Sequence, residues 1–213
     1  MQEHRLSVAR SARYFSIGRP EREVWFVLHG YAQLAARFLR YFDPIDDGSR
    51  LIVAPEGLSR FYLTEAPTER RVGANWMTKE DRLAEIDDHV KYLDAVYDAV
   101  LRSSDRAKIK VTTLGFSQGA TTACRWTTLG SSTIDHLIVW GGEVPADVGP
   151  PRAGRLTLVY GSNDEYFTPK VVAANEARLR EQGTTYDVTS YDGGHEIDAA
   201  VLKKLALPAP TRP

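Results

Sequence analysis

The stretch TLGFSQGA, residues 113–120, places Ser117 between two glycines, each two positions away. A G-x-S-x-G pattern arises by chance in roughly one chain in ten of this length, so its neighbours decide its meaning. The residues before it, IKVTTLGF, predict a buried strand, and those after it, QGATTACRWTTL, predict a helix. A serine on a sharp strand-to-helix turn has the position of a nucleophile elbow, where the glycines let strand and helix approach closely.

The rest of the chain alternates between short apolar runs and helical patterns. This alternation predicts an α/β fold with a mostly parallel central sheet covered by helices on both faces. We expect one domain over residues 1–213, with a frayed tail at about 208–213. Buried strands are predicted at 24–30, 50–56, 109–117, 136–142 and 156–162, an edge strand at 185–193 and an early antiparallel strand at 12–18. Helices are predicted from Thr78 to about 101, and at 118–129, 169–182 and 196–205.

Composition narrows the class of protein. With 213 residues, 43% hydrophobic residues and a net charge of −1, the chain has the profile of a globular domain without a nucleic-acid groove. Its one cysteine, Cys124, excludes an intramolecular disulfide and a cysteine-based zinc cluster. No secretory signal and no apolar run long enough to span a membrane is visible, which predicts a cytoplasmic location and no membrane span.

A serine nucleophile needs a base, and two histidines follow it in the chain. His136 opens an apolar strand, at the end opposite the edge where ligands bind in parallel sheets, and is interpreted as structural. His195 follows the paired glycines of YDGG, on a loop that can bring an imidazole over the sheet edge. We therefore predict His195 as the base, and the alternative is a surface histidine.

The acid that orients the base is less sharply defined by the sequence. Asp164, in LVYGSNDEYFTP, lies just past the end of a buried strand and is the favoured residue. Asp187 falls within the predicted last strand, and Asp192 is a turn residue beside glycine, where aspartate is favoured in any case. Glu165 is adjacent to Asp164 and stays open as an alternative.

An oxyanion requires two hydrogen-bond donors. The backbone N–H of Gln118, directly after the nucleophile, is the first. The second is expected from the loop after an earlier strand, and in VLHGYAQ the turn at Gly30 leaves the N–H of Tyr31 facing the site. A metal interpretation of His29 in the same stretch is rejected, because no second ligand accompanies it at a suitable spacing.

The loops also suggest where substrate binds. The linker after the strand at 136–142, GEVPADVGPPRAG, is too short and too rich in proline and glycine for a cap domain. The long loop from Glu56 to Met77 carries several apolar residues, which either line a shallow acyl groove or pin the loop to the body. The predicted substrate-binding residues are Phe61, Tyr62, Trp76 and Met77.

Taken together, LHGYAQ, APEG, GFSQGA, GSNDEY and GGHEI resemble the α/β-hydrolase superfamily, and within it the phospholipase/carboxylesterase group that includes acyl-protein thioesterases. The resemblance covers about residues 24–205. It implies Ser117, Asp164 and His195 as a catalytic triad, with Tyr31 and Gln118 at the oxyanion.

Two positions depart from the pattern of this group. Ala120 and Ala32 stand where glycine is common. Because alanine is the smallest substitution, we expect tighter packing and no loss of chemistry.

The predicted function is a serine hydrolase acting on a small-molecule carboxylic ester or thioester of short to medium acyl chain, without a cofactor or metal. A non-catalytic binding protein on a hydrolase scaffold is the alternative from another class, since fold does not imply function. A dienelactone-hydrolase-like enzyme is a closer rival, but its elbow nucleophile is usually cysteine and Ser117 stands here.

Overall fold

A twisted, mostly parallel sheet forms the centre of the protein. The structure, a computed structural model, describes residues 1–19, 22–64 and 70–207. Within them, seven strands pair in the order β1-β3-β2-β6-β7-β8-β9, with β1 antiparallel to β3 and the others parallel. The strands are β1 (Tyr14–Gly18), β2 (Glu23–Leu28), β3 (Arg50–Pro55), β4 (Ser59–Tyr62), β5 (Val72–Asn75), β6 (Lys110–Phe116), β7 (Ile134–Trp140), β8 (Ala153–Gly161) and β9 (Asp187–Tyr191).

Helices cover both faces of this sheet. They are α1 (Ala35–Phe38), α2 (Arg82–Leu101), α3 (Gln118–Leu129), α4 (Pro169–Glu181) and α5 (Ala199–Ala206), with 3₁₀ turns at Leu39–Ile45 and Arg106–Lys108. One core lies between the sheet and α2, α3 and α4, and the other between the sheet and α1, the first 3₁₀ turn and α5. The predicted α/β fold with a mostly parallel sheet covered on both faces is confirmed.

Strand β2 shows why the apolar runs predict buried strands. Val24 and Phe26 belong to one core, whereas Trp25 and Val27 belong to the other, and all four side chains are buried. Because successive side chains point to opposite faces, a strand with helices on both sides must be apolar at every position. The continuous apolar pattern is therefore a consequence of the two-sided burial.

Three local predictions are corrected by the structure. Helix α2 begins at Arg82 and not near Thr78, because Thr78 binds Glu80 and Glu85 in a turn ahead of the helix. The region 56–77, expected as one long loop, contains the antiparallel hairpin β4–β5. Helix α1 and its following 3₁₀ turn were not predicted.

The segment between β7 and β8 carries no helix or strand among its described residues, so no cap domain covers the sheet edge there. The predicted frayed tail at 208–213 lies outside the described residues. Among the residues that are described, no helix has the length and apolar character needed to cross a membrane.

Candidate active site

Ser117 lies on a strained turn between β6 and α3. Its backbone φ is +55°, a conformation that costs a non-glycine residue energy and persists only where the surroundings hold it. Its N–H donates to the carbonyl of Trp140 at 2.9 Å. A Cβ on Gly115 would lie 2.2 Å from the carbonyl oxygen of Gly119, and one on Gly119 would lie 2.2 Å from that of Leu28. The glycines of the motif are thus required by close backbone approach, as the sequence predicts.

His195 and Asp164 meet at the carboxyl edge of the same sheet. Asp164 follows β8 and His195 follows β9, and the Nδ1 of His195 lies 2.8 Å from Oδ2 of Asp164. The other carboxylate oxygen accepts the backbone N–H groups of Tyr166 (2.9 Å) and Phe167 (3.0 Å). The Asp164 side chain is only 1% exposed, so these three donors fix and satisfy a buried carboxylate.

Two of the other candidate acids, Asp187 and Asp192, are engaged elsewhere. Asp187 pairs with Arg155 at 2.8 Å. Asp192 accepts from the side-chain amide of Asn163 at 2.9 Å. Of the carboxylates considered from the sequence, Asp164 is the one that hydrogen-bonds to His195.

Ser117 and His195 line one cleft of about 470 Å³, which we call the serine cleft. Aromatic rings surround the imidazole. The ring centre of His195 lies 4.7 Å from that of Phe116, 4.9 Å from Tyr166 and 5.6 Å from Phe167. The other residues lining the cleft are Gly30, Tyr31 and Gln33.

Phe116, Tyr166, Phe167 and Gln33 were not predicted as site residues. Three of them were visible as neighbours of the motifs, because Phe116 precedes the serine and the two aromatic residues at 166–167 follow Asp164 closely. A residue next to a catalytic motif at a strand end is placed at the sheet edge by the backbone alone.

Of the two residues predicted as oxyanion donors, Tyr31 lines the same cleft as Ser117, and Gln118 follows Ser117 in the chain. Among the described residues, no acceptor is hydrogen-bonded to the N–H of Tyr31 or of Gln118. The turn that carries Tyr31 is held by Gln33, whose side-chain oxygen accepts the N–H of Gly30 at 2.8 Å. Two free N–H groups beside a nucleophile are what stabilisation of an oxyanion requires.

The side chain of Gln118 has a structural role. Its Nε2 donates to the carbonyl of Met77 at 2.8 Å, and its Oε1 accepts the N–H of Trp76 at 3.2 Å. These contacts tie the start of α3 to the segment after β5. The predicted oxyanion donor is the backbone N–H of Gln118, which these side-chain contacts do not involve.

None of the four predicted substrate-binding residues is among the described residues that line the serine cleft. Trp76 is buried in the core and donates from Nε1 to the carbonyl of His29 at 2.8 Å. Met77 packs against the same core. Both pin their loop to the body, which was the alternative interpretation. Phe61 packs on the ring of Tyr31, with ring centres 5.4 Å apart, and Tyr62 is exposed.

Two other buried histidines, His29 and His136, have hydrogen-bond partners that hold their rings in place. The Nδ1 of His29 bonds to the carbonyl of Gly30 at 2.8 Å and its Nε2 accepts the N–H of Gly57 at 2.9 Å, which keeps the ring neutral and occupied. Burial lowers the pKa of His29. Burial also lowers the pKa of His136 to about 4, and its Nε2 lies 2.8 Å from the hydroxyl of Thr157.

No group of three or more His, Cys, Asp or Glu side chains within residues 1–19, 22–64 and 70–207 is arranged to hold a metal ion. Cys124 is fully buried, and burial raises the pKa of its thiol to about 12. A thiol of that kind stays protonated and is not a nucleophile.

Solved structures of known proteins resemble this chain over most of its length. Acyl-protein thioesterase 2 of Zea mays aligns with a TM-score of 0.70 and 17% identity, covering 92% of this chain and 96% of that one. Esterase PE8 aligns with a TM-score of 0.67 and 18% identity, covering 92% and 97%. The carboxylesterase of Bacillus cereus aligns with a TM-score of 0.67 and 14% identity, covering 92% of each chain.

No protein-family model matches the sequence, and no match is found among curated proteins. At 14–19% identity the structural likeness establishes the fold, not the substrate. The sheet order, the strained serine after β6 and the extent of the alignments agree with the resemblance that the sequence motifs suggested. This chain has the α/β-hydrolase fold.

Proposed function

We propose that this protein is a carboxylesterase-type serine hydrolase that cleaves carboxylic esters or thioesters of short to medium acyl chains. The observation that carries the proposal is the 2.8 Å hydrogen bond between Asp164 and a histidine that lines the same cleft as Ser117. Acid, base and strained serine meet at one sheet edge, which is the arrangement of a nucleophilic triad.

In the acylation half-reaction, the Oγ of Ser117 attacks the carbonyl carbon of the ester while Nε2 of His195 takes the hydroxyl proton. Asp164 accepts the Nδ1–H of His195, which keeps Nε2 free as the acceptor and stabilises the imidazolium that forms. The backbone N–H groups of Tyr31 and Gln118 donate to the oxyanion. Collapse of the tetrahedral intermediate breaks the ester bond, and His195 returns the proton to the leaving alcohol or thiol.

In the deacylation half-reaction, a water molecule replaces the leaving group. His195 takes its proton as the water oxygen attacks the acyl carbon, and the same two backbone donors hold the second oxyanion. The second intermediate then collapses: the bond between the acyl carbon and Oγ of Ser117 breaks, His195 returns the proton to Oγ, and the carboxylic acid leaves. The strain at this residue favours the proposal, since such conformations cluster at active sites.

The substrate class follows from the walls of the cleft. Tyr31, Phe116, Tyr166 and Phe167 offer apolar surface, and a volume of about 470 Å³ suits a small ester. The related structures are named as an esterase, a carboxylesterase and an acyl-protein thioesterase, which supports esters and thioesters as substrates.

Labelling by a fluorophosphonate probe, together with turnover of p-nitrophenyl butyrate, tests the proposal. Ser117→Ala should abolish labelling and lower turnover by several orders of magnitude, because the triad acts as a unit. Ser162→Ala is the matched control, since the Ser162 hydroxyl lies on the neighbouring loop and bonds to Asp192 at 3.4 Å. Normal labelling of Ser117→Ala would refute the assignment of Ser117 as the nucleophile. A wild-type protein that neither labels nor turns over esters would favour a non-catalytic binding protein.

A further inference from the structure

A second cavity, of about 220 Å³, lies beside the serine cleft. Three parts of the chain form it: the loop after β2, helix α1 with its 3₁₀ turn, and the end of the β4–β5 hairpin. We call it the arginine cavity, after Arg37 and Arg71 in its lining. The residues that matter below are Gln33, Arg37, Phe38, Tyr41, Leu63 and Arg71.

Gln33 lines both the arginine cavity and the serine cleft. Its Oε1 and the Cβ of Ser117 each lie 3.2 Å from the position that a Cβ on Gly30 would take. The side-chain amide of Gln33 therefore lies close to the nucleophile. The Gln33 side chain therefore forms part of the wall that the two cavities share.

Within the part of the chain that the structure describes, the two arginines of the cavity have no side-chain partner. Neither Arg37 nor Arg71 forms an ion pair or a side-chain hydrogen bond among the described residues. Some other arginines are paired, as where Arg82 and Arg125 share the carboxylate of Asp147. The arginines at 37 and 71 are exposed and free to bind a ligand.

The rest of the lining is compatible with an anionic group that a short apolar chain joins to the ester. Phe38 is buried and Leu63 half-buried, and Tyr41 adds a phenol. No acidic side chain is among the described residues that line the cavity. Guanidinium groups bind carboxylates and phosphates through paired N–H donors. The volume equals that of about seven water molecules, enough for such a group with a few carbon atoms.

We propose that the arginine cavity is a second substrate subsite, which binds a carboxylate or phosphate group carried by the ester beyond its scissile bond. The proposal rests on the proposed hydrolase function and narrows its substrate class to anionic esters. The ester group of the substrate would lie in the serine cleft, and the chain beyond it would run alongside Gln33. The anionic end would lie between Arg37 and Arg71.

Matched esters test the subsite on both sides of the scissile bond. On the acyl side, mono-p-nitrophenyl adipate is compared with p-nitrophenyl hexanoate, which has the same acyl length without the charge. On the alcohol side, the acetate ester of 4-hydroxyphenylacetate is compared with that of the corresponding amide. The measured quantity is the preference, defined as the ratio of kcat/KM for the anionic ester to that for its neutral partner.

Wild-type protein should prefer the anionic ester in one arm, and the preference should fall about tenfold in Arg37→Gln and in Arg71→Gln. Added salt should weaken the preference, because both arginines are exposed. Arg40→Gln is the control of equal charge change, since Arg40 is exposed nearby and is not among the residues lining either cavity. It should leave the preference unchanged.

Calorimetry measures the binding of adipate and of inorganic phosphate to the wild-type protein and to the Arg37→Gln/Arg71→Gln variant. This measurement does not depend on turnover, and it shows whether the cavity binds a carboxylate or a phosphate. Loss of anion binding in the double variant would support the subsite, even where the wild-type protein hydrolyses no ester. Absence of ester hydrolysis would refute the proposed hydrolase function and leave the subsite standing. The opposite result would overturn the subsite alone. In that case Ser117-dependent turnover of p-nitrophenyl hexanoate is seen, but neither the preference in either arm nor the binding of anions depends on Arg37 and Arg71.

Discussion

Replacing Asp164 by asparagine changes one atom of the site and tests the proposed role of the acid. The two oxygens of Asp164 have separate partners: Oδ1 accepts the N–H groups of Tyr166 and Phe167, and Oδ2 accepts from Nδ1 of His195. Asparagine can keep its carbonyl oxygen on the two backbone donors. Its NH₂ group then faces His195, and a donor there requires an unprotonated Nδ1.

The magnitude follows from that tautomer change. With Nδ1 unprotonated, the proton of the neutral ring of His195 lies on Nε2, which can no longer accept the proton of Ser117. In serine proteases the same substitution lowers kcat about 10⁴-fold, equivalent to about 5.5 kcal/mol of transition-state stabilisation. We expect a loss of the same order for Asp164→Asn, with the fold retained because the shape and the backbone hydrogen bonds are conserved.

The assay compares kcat for p-nitrophenyl butyrate and the rate of fluorophosphonate labelling, with the thermal midpoint as a check on folding. Asp192→Asn is the matched control, because Asp192 lies at the same sheet edge but bonds to Asn163 instead of the imidazole. It should retain activity within a few-fold. An Asp164→Asn variant within tenfold of wild type, or an Asp192→Asn variant with the larger loss, would refute the assignment of the acid.

Three further predictions concern packing, pH and the open cleft. Gly119→Ala should lower the unfolding free energy by about 3 kcal/mol, because its Cβ would lie 2.2 Å from the carbonyl oxygen of Leu28. Gly149→Ala, whose nearest contact is 3.9 Å away, is the control in the same denaturant titration. His136, whose pKa burial lowers to about 4, is protonated more readily in the unfolded chain. The unfolding free energy therefore decreases as pH falls from about 6.5 towards 4, by about 2 kcal/mol at pH 5. His136→Gln should remove this contribution to the pH dependence of the unfolding free energy. Turnover of a short-chain ester should follow a simple saturation curve and level off at the solubility limit of the ester, and a jump in rate there would contradict a cleft without a cap.

The backbone of the site was predictable because few arrangements satisfy the sequence pattern. Continuous apolar runs, such as 24–28 in β2 and 137–140 in β7, must lie inside a two-sided parallel sheet, and the residues after such strands share one edge. Ser117 comes directly after β6, Asp164 lies three residues after the end of β8, and His195 lies four residues after the end of the edge strand β9. Their meeting therefore follows from topology, although the sequence left three other carboxylates open.

The walls of the site depend on contacts that no local pattern carries. Strands β4 and β5 are short, and β5 contains glycine, alanine and asparagine, which favour strands poorly. The hairpin is held by tertiary contacts, among them the bond from Gln118 Nε2 to the carbonyl of Met77. As a result Trp76 is buried in the core, and the cleft is lined by Tyr166 and Phe167 instead.

Ala32 shows how one such contact shapes the oxyanion loop. Its φ of +64° is costly for an L-residue, by about 1–2 kcal/mol, and the resembling hydrolases commonly have glycine here. Strand β5 holds the conformation: the N–H of Ala32 donates to the carbonyl of Ala74 at 2.9 Å, and the carbonyl of Gln33 accepts the N–H of Ala74 at 3.1 Å. The close approach needs a glycine on the facing strand, because a Cβ on Gly73 would lie 2.5 Å from the carbonyl oxygen of Ala32. Since alanine has fewer unfolded conformations than glycine, the substitution costs strain but reduces the entropy lost when the loop that positions Tyr31 becomes ordered.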